Sequence, residues 1–230
     1  MVEWKFANYP VHNGAFDYLR EHSYILPRLG KIDVRGIEVI REMGQGFSAA
    51  FYPHTSHADA YTVFHELRKL GVNNIIVAAA ADYWFRNPLM RTFGNSVMPI
   101  FPQPRPGKEA GTFSAGKALL HLSQRVKEGA VLIWSPEGTR DGNGELNTGI
   151  VRLAEKSGRP VVPVVLRGLE KSWPKGQSLP DIKVLAGQTI TICFCPPMSY
   201  PEQPNKKSEK LFMDKLKQTY KQTYEELGTN

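Results

Sequence analysis

Strand-like and helix-like segments alternate between residues 31 and 195, and this alternation constrains the fold more than any other feature of the chain. Short apolar runs bounded by turn residues predict strands, and apolar residues recurring every three or four positions predict helices. Strands that are connected by helices favour a parallel sheet. We therefore predict an α/β fold with a mixed, largely parallel central sheet flanked by helices.

The segment boundaries follow from turn residues and helix caps. Pro163 lies inside a predicted strand, which indicates a sheet edge or a break in the hydrogen-bond ladder. The domain prediction is an N-terminal helical segment, 1–30, that is a candidate membrane-contacting patch, followed by a main domain, 31–230, that ends in a basic helix. The predicted strands are 31–36, 47–52, 72–80, 97–101, 130–134, 161–166, 182–185 and 189–195, and the predicted helices are 14–26, 58–70, 87–94, 114–127, 148–157 and 206–227.

Composition narrows the class of protein and of partner. The 230 residues are 41% hydrophobic, which suits one domain with a sizeable core. The formal net charge of +7 favours anionic partners such as phosphates, anionic membrane surfaces or nucleic acid. Because no recognised nucleic-acid-binding motif accompanies the charge, we expect no nucleic-acid partner.

The expected location is the cytoplasmic face of a membrane, with the protein bound peripherally. Cys193 and Cys195 lie two apart in a predicted strand, too far apart for a disulfide, so we expect both to be reduced. No apolar run reaches the roughly 18–20 residues of a membrane-spanning helix. Residues 1–10 do not resemble a signal peptide.

His54 and Asp59 lie at a predicted strand–turn–helix junction. Ser56 and Asp59 have the spacing of a capping box, which predicts that the helix starts here. The same geometry brings the imidazole and the carboxylate together, so that one ring nitrogen is held as a donor and the other is free to accept a proton. His57, on the first helical turn, is expected to face solvent.

A second polar loop follows the predicted strand 130–134 and reads Ser-Pro-Glu-Gly-Thr-Arg over residues 135–140. Gly138 gives the backbone freedom, Arg140 offers a planar donor fork for phosphate, and Glu137 can orient that arginine or a hydroxyl. Loops at the carboxyl ends of strands are the usual ligand position in open α/β sheets.

Taken together, these segments resemble the ordered motifs of the glycerolipid acyltransferases related to bacterial 1-acylglycerol-3-phosphate acyltransferase. Residues 54–59 match the H-x4-D motif of that family, 137–140 match its E-G-T-R motif, 162–164 match its V-P-V segment, and 35–38 resemble its R-G-x-E stretch. The resemblance runs from about residue 31 to residue 168. The chain departs from the family pattern at Pro53, where the family usually has Asn.

The resemblance implies a glycerol-3-phosphate acyltransferase-like fold and a set of site residues. His54 and Asp59 would form the catalytic dyad. Arg105 would take the role of a family arginine that closely follows the strand corresponding to residues 97–101. The groups implied to bind the acceptor phosphate are Glu137, Gly138, Thr139, Arg140 and Arg105.

The implied reaction is acyl transfer from a thioester of coenzyme A or acyl carrier protein to a lysophospholipid, with 1-acylglycerol-3-phosphate as the expected acceptor. His54 would act as general base and Asp59 would hold its tautomer, without an acyl-enzyme. Backbone N–H groups or Thr139 would stabilise the oxyanion. Beyond the thioester co-substrate we expect no cofactor and no metal.

Other functions fit parts of the same pattern. A metal-dependent hydrolase would use His54, His57 and Asp59 as ligands, although no further ligand cluster is evident downstream. A non-catalytic lipid- or membrane-binding protein would use the basic amphipathic helix near the end of the chain. A thioester hydrolase would release thiol without an acylated product. Ser56 as a nucleophile lacks the surrounding G-x-S-x-G elbow.

Overall fold

The structure is a computed structural model that describes residues 15, 18–20, 30–85, 87–104, 114–138, 144–174, 176–177, 181–201 and 204–228. Of the predicted N-terminal helix, residues 15 and 18–20 are helical and the others lie outside the described residues. The strands are β1 (Lys31–Arg35), β2 (Ser48–Tyr52), β3 (Ile75–Ala80), β4 (Ile100–Gln103), β5 (Val131–Trp134), β6 (Val161–Arg167) and β7 (Thr189–Phe194). The helices after residue 30 are α1 (Ile37–Met43), α2 (Ala58–Lys69), α3 (Ala81–Trp84), α4 (Pro88–Val97), α5 (Ala115–Lys127), α6 (Gly149–Ser157), α7 (Ile182–Gly187) and α8 (Lys206–Glu226).

Seven strands of the described chain form one sheet, in the order β1-β7-β6-β2-β5-β3-β4. Each neighbouring pair is parallel except β6 and β7, which are antiparallel. The predicted mixed, largely parallel sheet is therefore confirmed. Parallel strands require crossover connections, and the helices between them supply these.

Two apolar layers cover the faces of the sheet. One combines strand residues such as Phe51 and Val164 with α1 and α2, and the other combines Ala50 and Val165 with α5, α6 and α8. Alternate residues of β2 and β6 thus pack on opposite faces, as strand geometry dictates. No helix within the described ranges combines the length and the apolar character needed to cross a bilayer.

Pro163 lies in an interior strand rather than at the sheet edge, so the edge interpretation was wrong. The ladder between β6 and β7 ends at the pair Val164 and Phe194, directly beside the proline. Its carbonyl still accepts a hydrogen bond from the Cys195 N–H at 2.9 Å. The ladder-break interpretation is confirmed, because proline has no N–H to continue the pairing.

Residues 182–185 form the start of helix α7, so the strand prediction there was wrong. The side chain of Asp181 accepts hydrogen bonds from the N–H groups of Lys183 and Val184 at 3.0 and 3.1 Å. A carboxylate that binds these two donors starts a helix. The alternation of apolar residues in this short segment therefore did not indicate a strand.

Two boundaries near residue 97 also differ from the prediction. Helix α4 continues past Gly94 to Val97, and β4 begins only at Ile100. Gly94 is buried, and a Cβ placed there would lie 2.6 Å from the Ile100 side chain and 3.0 Å from Trp84. The glycine therefore permits close packing and does not end the helix.

Candidate active site

The candidate site lies where loops leave the carboxyl ends of three adjacent parallel strands. In the sheet β2 lies between β6 and β5 and is parallel to both. His54 follows β2, Glu137 follows β5, and Trp173 follows β6. Because parallel strands end at the same edge, the chain brings these residues together from distant positions in the sequence.

His54 and Asp59 meet as the sequence predicted. Nδ1 of His54 lies 3.0 Å from Oδ2 of Asp59. The ring packs edge-on against Phe51, and 21% of the His54 side chain is exposed. Nε2 makes no hydrogen bond within the described part of the chain. The carboxylate therefore holds one ring nitrogen, and the other is available to a ligand.

Asp59 is fixed by the turn that it closes. Its Oδ2 also accepts hydrogen bonds from the N–H groups of Thr55 and Ser56, at 2.9 and 2.8 Å. The side chain is only 1% exposed, and burial raises the pKa of this carboxyl, opposed by the hydrogen bonds from His54 and the two backbone groups. Three donors on one oxygen leave the carboxylate a single position.

The predicted capping box is formed in part. Asp59 reaches back to the N–H of Ser56, as the motif requires. The Ser56 hydroxyl instead accepts from the N–H of Ala58 at 3.1 Å, one residue earlier than in a full box. Ser56 is fully buried, and its hydroxyl also lies 3.2 Å from that of Ser172. A buried hydroxyl with these contacts does not suit a nucleophile, which agrees with the missing G-x-S-x-G elbow around Ser56.

Glu137 ties the loop after β5 to the loop after β2. Oε2 accepts the backbone N–H of His54 at 2.5 Å, and Oε1 accepts that of Gly144 at 3.3 Å. The side chain is buried, which raises the pKa of the carboxyl while both hydrogen bonds lower it. The resemblance placed Glu137 among the phosphate-binding groups. Among the described residues its carboxylate binds two backbone N–H groups; Thr139 and Arg140 beside it lie outside the described residues, so its part in phosphate binding stays a prediction.

The described ends of the Glu137 loop are held by Asn147. Its side-chain amide donates to the carbonyl oxygens of Pro136 and Glu137 at 3.2 and 2.9 Å, and its backbone N–H donates to Pro136 at 2.7 Å. Asn147 was not among the predicted site residues. An asparagine in a polar loop carries no signal by itself, because its partners are known only once the loop is folded.

His57 does not face solvent, so that prediction was wrong. The residue is 9% exposed, and its ring lies within 5.1–6.2 Å of the rings of Tyr83, Trp84 and Trp173. The Tyr83 hydroxyl lies 3.4 Å from Nε2 of His57. Tyr83 and Trp84 come from helix α3, and Trp173 comes from the segment after β6, so local sequence could not place them next to His57.

The remaining candidate site residues are only partly described. Gly138 is exposed and has a left-handed φ of 69°, a conformation that glycine adopts without strain. Arg105, Thr139 and Arg140 lie outside the described residues. Within the described ranges, no group of three His, Cys, Asp or Glu side chains is arranged to hold a metal ion.

Two curated plant proteins match part of the chain. One is 1-acyl-sn-glycerol-3-phosphate acyltransferase of Limnanthes alba, 38% identical over 71 residues, which are 30% of this chain and 24% of the relative. The other is the chloroplastic 1-acyl-sn-glycerol-3-phosphate acyltransferase BAT2 of Brassica napus, 41% identical over 61 residues, which are 25% of this chain and 18% of the relative. The chain thus spans less than a quarter of the length of these relatives.

A solved structure shares the fold over most of the chain. The crystal structure of the 1-acyl-sn-glycerophosphate (LPA) acyltransferase PlsC from Thermotoga maritima superposes with a TM-score of 0.57 and 18% identity, and the match covers 90% of this chain and 79% of that chain. Residues 31–167 match the family model described as Acyltransferase. This match includes the His54–Asp59 and Glu137 segments, and the chain belongs to the acyltransferase family.

Proposed function

We propose that this protein transfers a fatty acyl group from an acyl thioester to the hydroxyl of a lysophospholipid, with 1-acylglycerol-3-phosphate as the acceptor. The donor is a thioester of coenzyme A or acyl carrier protein. The observation that carries the proposal is the contact between Nδ1 of His54 and the buried carboxylate of Asp59, with Nε2 left for the substrate. The family and the names of its plant relatives support the same reaction.

In the proposed mechanism, His54 acts as a general base on the acceptor. Nε2 takes the hydroxyl proton as the acceptor oxygen attacks the thioester carbonyl carbon. Asp59 fixes the tautomer and stabilises the imidazolium. The tetrahedral intermediate then collapses, the carbon–sulfur bond breaks, and the imidazolium returns the proton to the departing thiolate. Acyl group, proton and thiol are balanced without an acyl-enzyme, a cofactor or a metal.

The acceptor's phosphate needs donors close to the dyad. By resemblance we assign this role to Glu137, Gly138, Thr139, Arg140 and Arg105, and we assign the oxyanion to backbone N–H groups or Thr139. Glu137 has a second role in this scheme. It is a positioning residue, because its carboxylate holds the backbone N–H of the catalytic histidine.

We also propose that the protein works on a membrane surface, at its cytoplasmic face. Helix α4 exposes Leu89 (78%) and Phe93 (45%), and the preceding helix α3 supplies Tyr83, which contacts His57 at the site edge. Exposed apolar side chains beside a lipid-handling site suit insertion into a bilayer interface. Both cysteines are free thiols, which fits a reducing compartment.

The test of the proposed reaction is an assay of His54→Ala with purified protein. We expect kcat to fall by about 10²–10⁴-fold, the usual contribution of a general base, while acceptor KM changes little. Acylated lipid and free thiol are measured together, over a panel of acyl thioesters and acceptors with and without a chelator. His121→Gln, a change far along the chain in α5, is the control for loss of a partly buried histidine and should keep full activity.

Three other results of this assay would each support a different function. Thiol release without acylated lipid would make the protein a thioester hydrolase. Loss of activity in chelator, restored by a divalent metal, would favour the metal-dependent hydrolase. Lipid binding with no turnover in the wild type would leave the non-catalytic lipid-binding protein.

A further inference from the structure

A pocket of about 270 Å³ lies between helix α8 and the loops at the carboxyl edge of the sheet. This volume is close to the lower end of the range for small-molecule sites. One wall is formed by Tyr52, Gly144 and Leu146. The facing wall comes from α8, with Lys217 and Lys221 one helical turn apart. The pocket residues are separate from the residues assigned to the proposed reaction.

The pocket is held open by a fixed contact between α8 and β2. Tyr220 is buried, and its hydroxyl donates a hydrogen bond to the carbonyl oxygen of Ala50 at 2.7 Å. The ring of Tyr52 stacks on the ring of Tyr220 with centroids 4.9 Å apart. The helix therefore cannot slide along the strand without breaking a buried hydrogen bond, and Lys217 and Lys221 stay in the lining of the pocket.

The pocket adjoins the candidate active site through Glu137. Gly144, which lines the pocket, donates to one oxygen of that carboxylate, and His54 donates its backbone N–H to the other. Tyr52 precedes His54 by two residues, so their Cα atoms are at most about 7.6 Å apart. A ligand in the pocket thus lies next to the catalytic loop, on the α8 side of Glu137.

The charge of the pocket suits an anion. Lys217 and Lys221 supply two ammonium groups, Glu225 supplies one carboxylate, and the carboxylate of Glu137 lies behind Gly144 and Tyr52. Neither lysine makes an ion pair within the described part of the chain. Tyr224, also in the lining, is already bonded through its hydroxyl to Glu170 at 3.2 Å. The two ammonium groups on the α8 wall are therefore available to a ligand.

Tyr52 adds a neutral donor to this wall. The Tyr52 hydroxyl lies near Gly144: a Cβ added to that glycine would be 3.6 Å from the hydroxyl oxygen. This hydroxyl makes no hydrogen bond within the described residues. Burial, assisted by the nearby charge of Glu137, raises the pKa of Tyr52, so the hydroxyl keeps its proton. A protonated phenol beside two ammonium groups can donate to a phosphate oxygen.

We infer that this pocket binds a phosphate group of one of the two substrates, with Lys217 and Lys221 as counter-charges and the Tyr52 hydroxyl as a donor. The inference rests on the proposed acyl transfer, in which both coenzyme A thioesters and the acceptor lipid carry phosphate. It adds a positioning site to that reaction, because a phosphate bound here keeps its substrate beside the His54 loop.

The test is the double variant Lys217→Gln/Lys221→Gln, assayed with two donors. One donor is an acyl-CoA, and the other is the acyl thioester of N-acetylcysteamine, which has no phosphate. If the pocket holds the donor's phosphates, the KM for acyl-CoA rises at least tenfold and the phosphate-free donor is unaffected. If it holds the acceptor's phosphate, the acceptor KM rises at least tenfold with either donor.

Matched variants separate this effect from a general loss of charge. Lys206→Gln/Lys210→Gln removes two exposed lysines with the same spacing on the same helix, away from the pocket, and should leave both KM values unchanged. Tyr52→Phe keeps the ring stacked on Tyr220 and removes only the hydroxyl, so the affected KM should rise about three- to tenfold. Equal shifts in both lysine pairs, or unchanged KM values in the pocket variants, would overturn the inference.

Direct binding distinguishes failure of the inference from failure of the proposed function. Calorimetry with coenzyme A and with glycerol 3-phosphate, on wild type and on His54→Ala, should show one ligand bound alike by both proteins and bound at least tenfold more weakly by Lys217→Gln/Lys221→Gln. That result in a wild type without transferase activity would refute the proposed function and support the pocket. Binding unaffected by the lysine variant would refute the pocket whatever the activity.

Discussion

At the scale of single residues, the site depends on one oxygen atom. Oδ2 of Asp59 accepts from two backbone N–H groups and faces Nδ1 of His54, while Oδ1 is buried with no hydrogen-bond partner among the described atoms. A buried oxygen without a partner is unfavourable. The structure thus keeps a poorly solvated carboxylate where it can orient an imidazole.

We predict that Asp59→Asn lowers kcat by about 10²–10⁴-fold with little change in fold. The amide oxygen can still accept from Thr55 and Ser56, but the amide is neutral and no longer stabilises an imidazolium. Turnover and thermal unfolding should be measured side by side. A variant that keeps near-normal kcat would show that the carboxylate has no part in catalysis.

The residue pairs that sequence could predict are those close in the chain. His54 and Asp59 are five apart, so the strand–turn–helix junction sufficed to bring them together. The hydrogen bond from His54 to Glu137 spans 83 residues and depends on β2 and β5 being neighbours in the sheet. No local pattern specifies strand order, so this contact and the aromatic surroundings of His57 were not predicted.

At the scale of elements, Gly36 joins β1 to α1 within the R-G-x-E stretch. Its φ is 71°, and a Cβ there would lie 2.0 Å from the carbonyl oxygen of Phe194 in β7. The strand was predicted from the sequence, but the helix Ile37–Met43 that follows it was not. The turn between them needs a residue with no side chain, which explains this glycine without any role in chemistry.

We predict that Gly36→Ala lowers the free energy of unfolding by at least about 2 kcal/mol, through a left-handed alanine and the clash with β7. Gly44→Ala is the control, because Gly44 has a φ of 63° and nothing within 4 Å of the added carbon. Urea unfolding of both variants isolates the clash. Equal losses would mean that the backbone near Phe194 simply moves aside.

Helix α2 contains a buried histidine that should make stability depend on pH. His65 is 4% exposed, and burial, with help from Lys69 and Arg68, lowers its pKa to about 4. Between the ordinary value of 6.5 and about 4 the unfolded chain binds more protons than the folded one. The free energy of unfolding therefore falls as pH falls through this window, by about 3 kcal/mol at its lower end.

We predict that His65→Phe removes most of that pH dependence. In the wild type the rings of Tyr61 and Phe64 pack on the imidazole of His65, with centroid distances of 4.4 and 5.0 Å. Phenylalanine keeps an aromatic ring in this position and cannot titrate. The unfolding free energy is measured at pH 7, 5.5 and 4.5. Its decrease between pH 7 and pH 4.5 should be about 2–3 kcal/mol smaller in the variant than in wild type. Parallel curves for the two proteins would assign the pH dependence to other groups.

At the scale of the whole molecule, the proposed membrane contact makes a prediction about α4. Leu89→Ser/Phe93→Ser should weaken binding to vesicles that contain anionic lipid by at least tenfold, as measured by co-sedimentation. The reason is that two apolar side chains no longer enter the bilayer interface. Leu211→Ser, which removes a leucine that is 67% exposed on α8, is the control. If both variants bind vesicles equally, α4 is not the contact surface.

The position of β1 has a consequence for the order of events on the ribosome. Within the described part of the chain, β1 lies at the end of the sheet and pairs only with β7, so among these strands residues 31–35 gain their partner once residues 189–193 have been synthesised. At cellular elongation rates the delay is roughly 8–30 s. During that interval the nascent chain carries an unpaired edge-forming segment that a chaperone can bind before β7 exists.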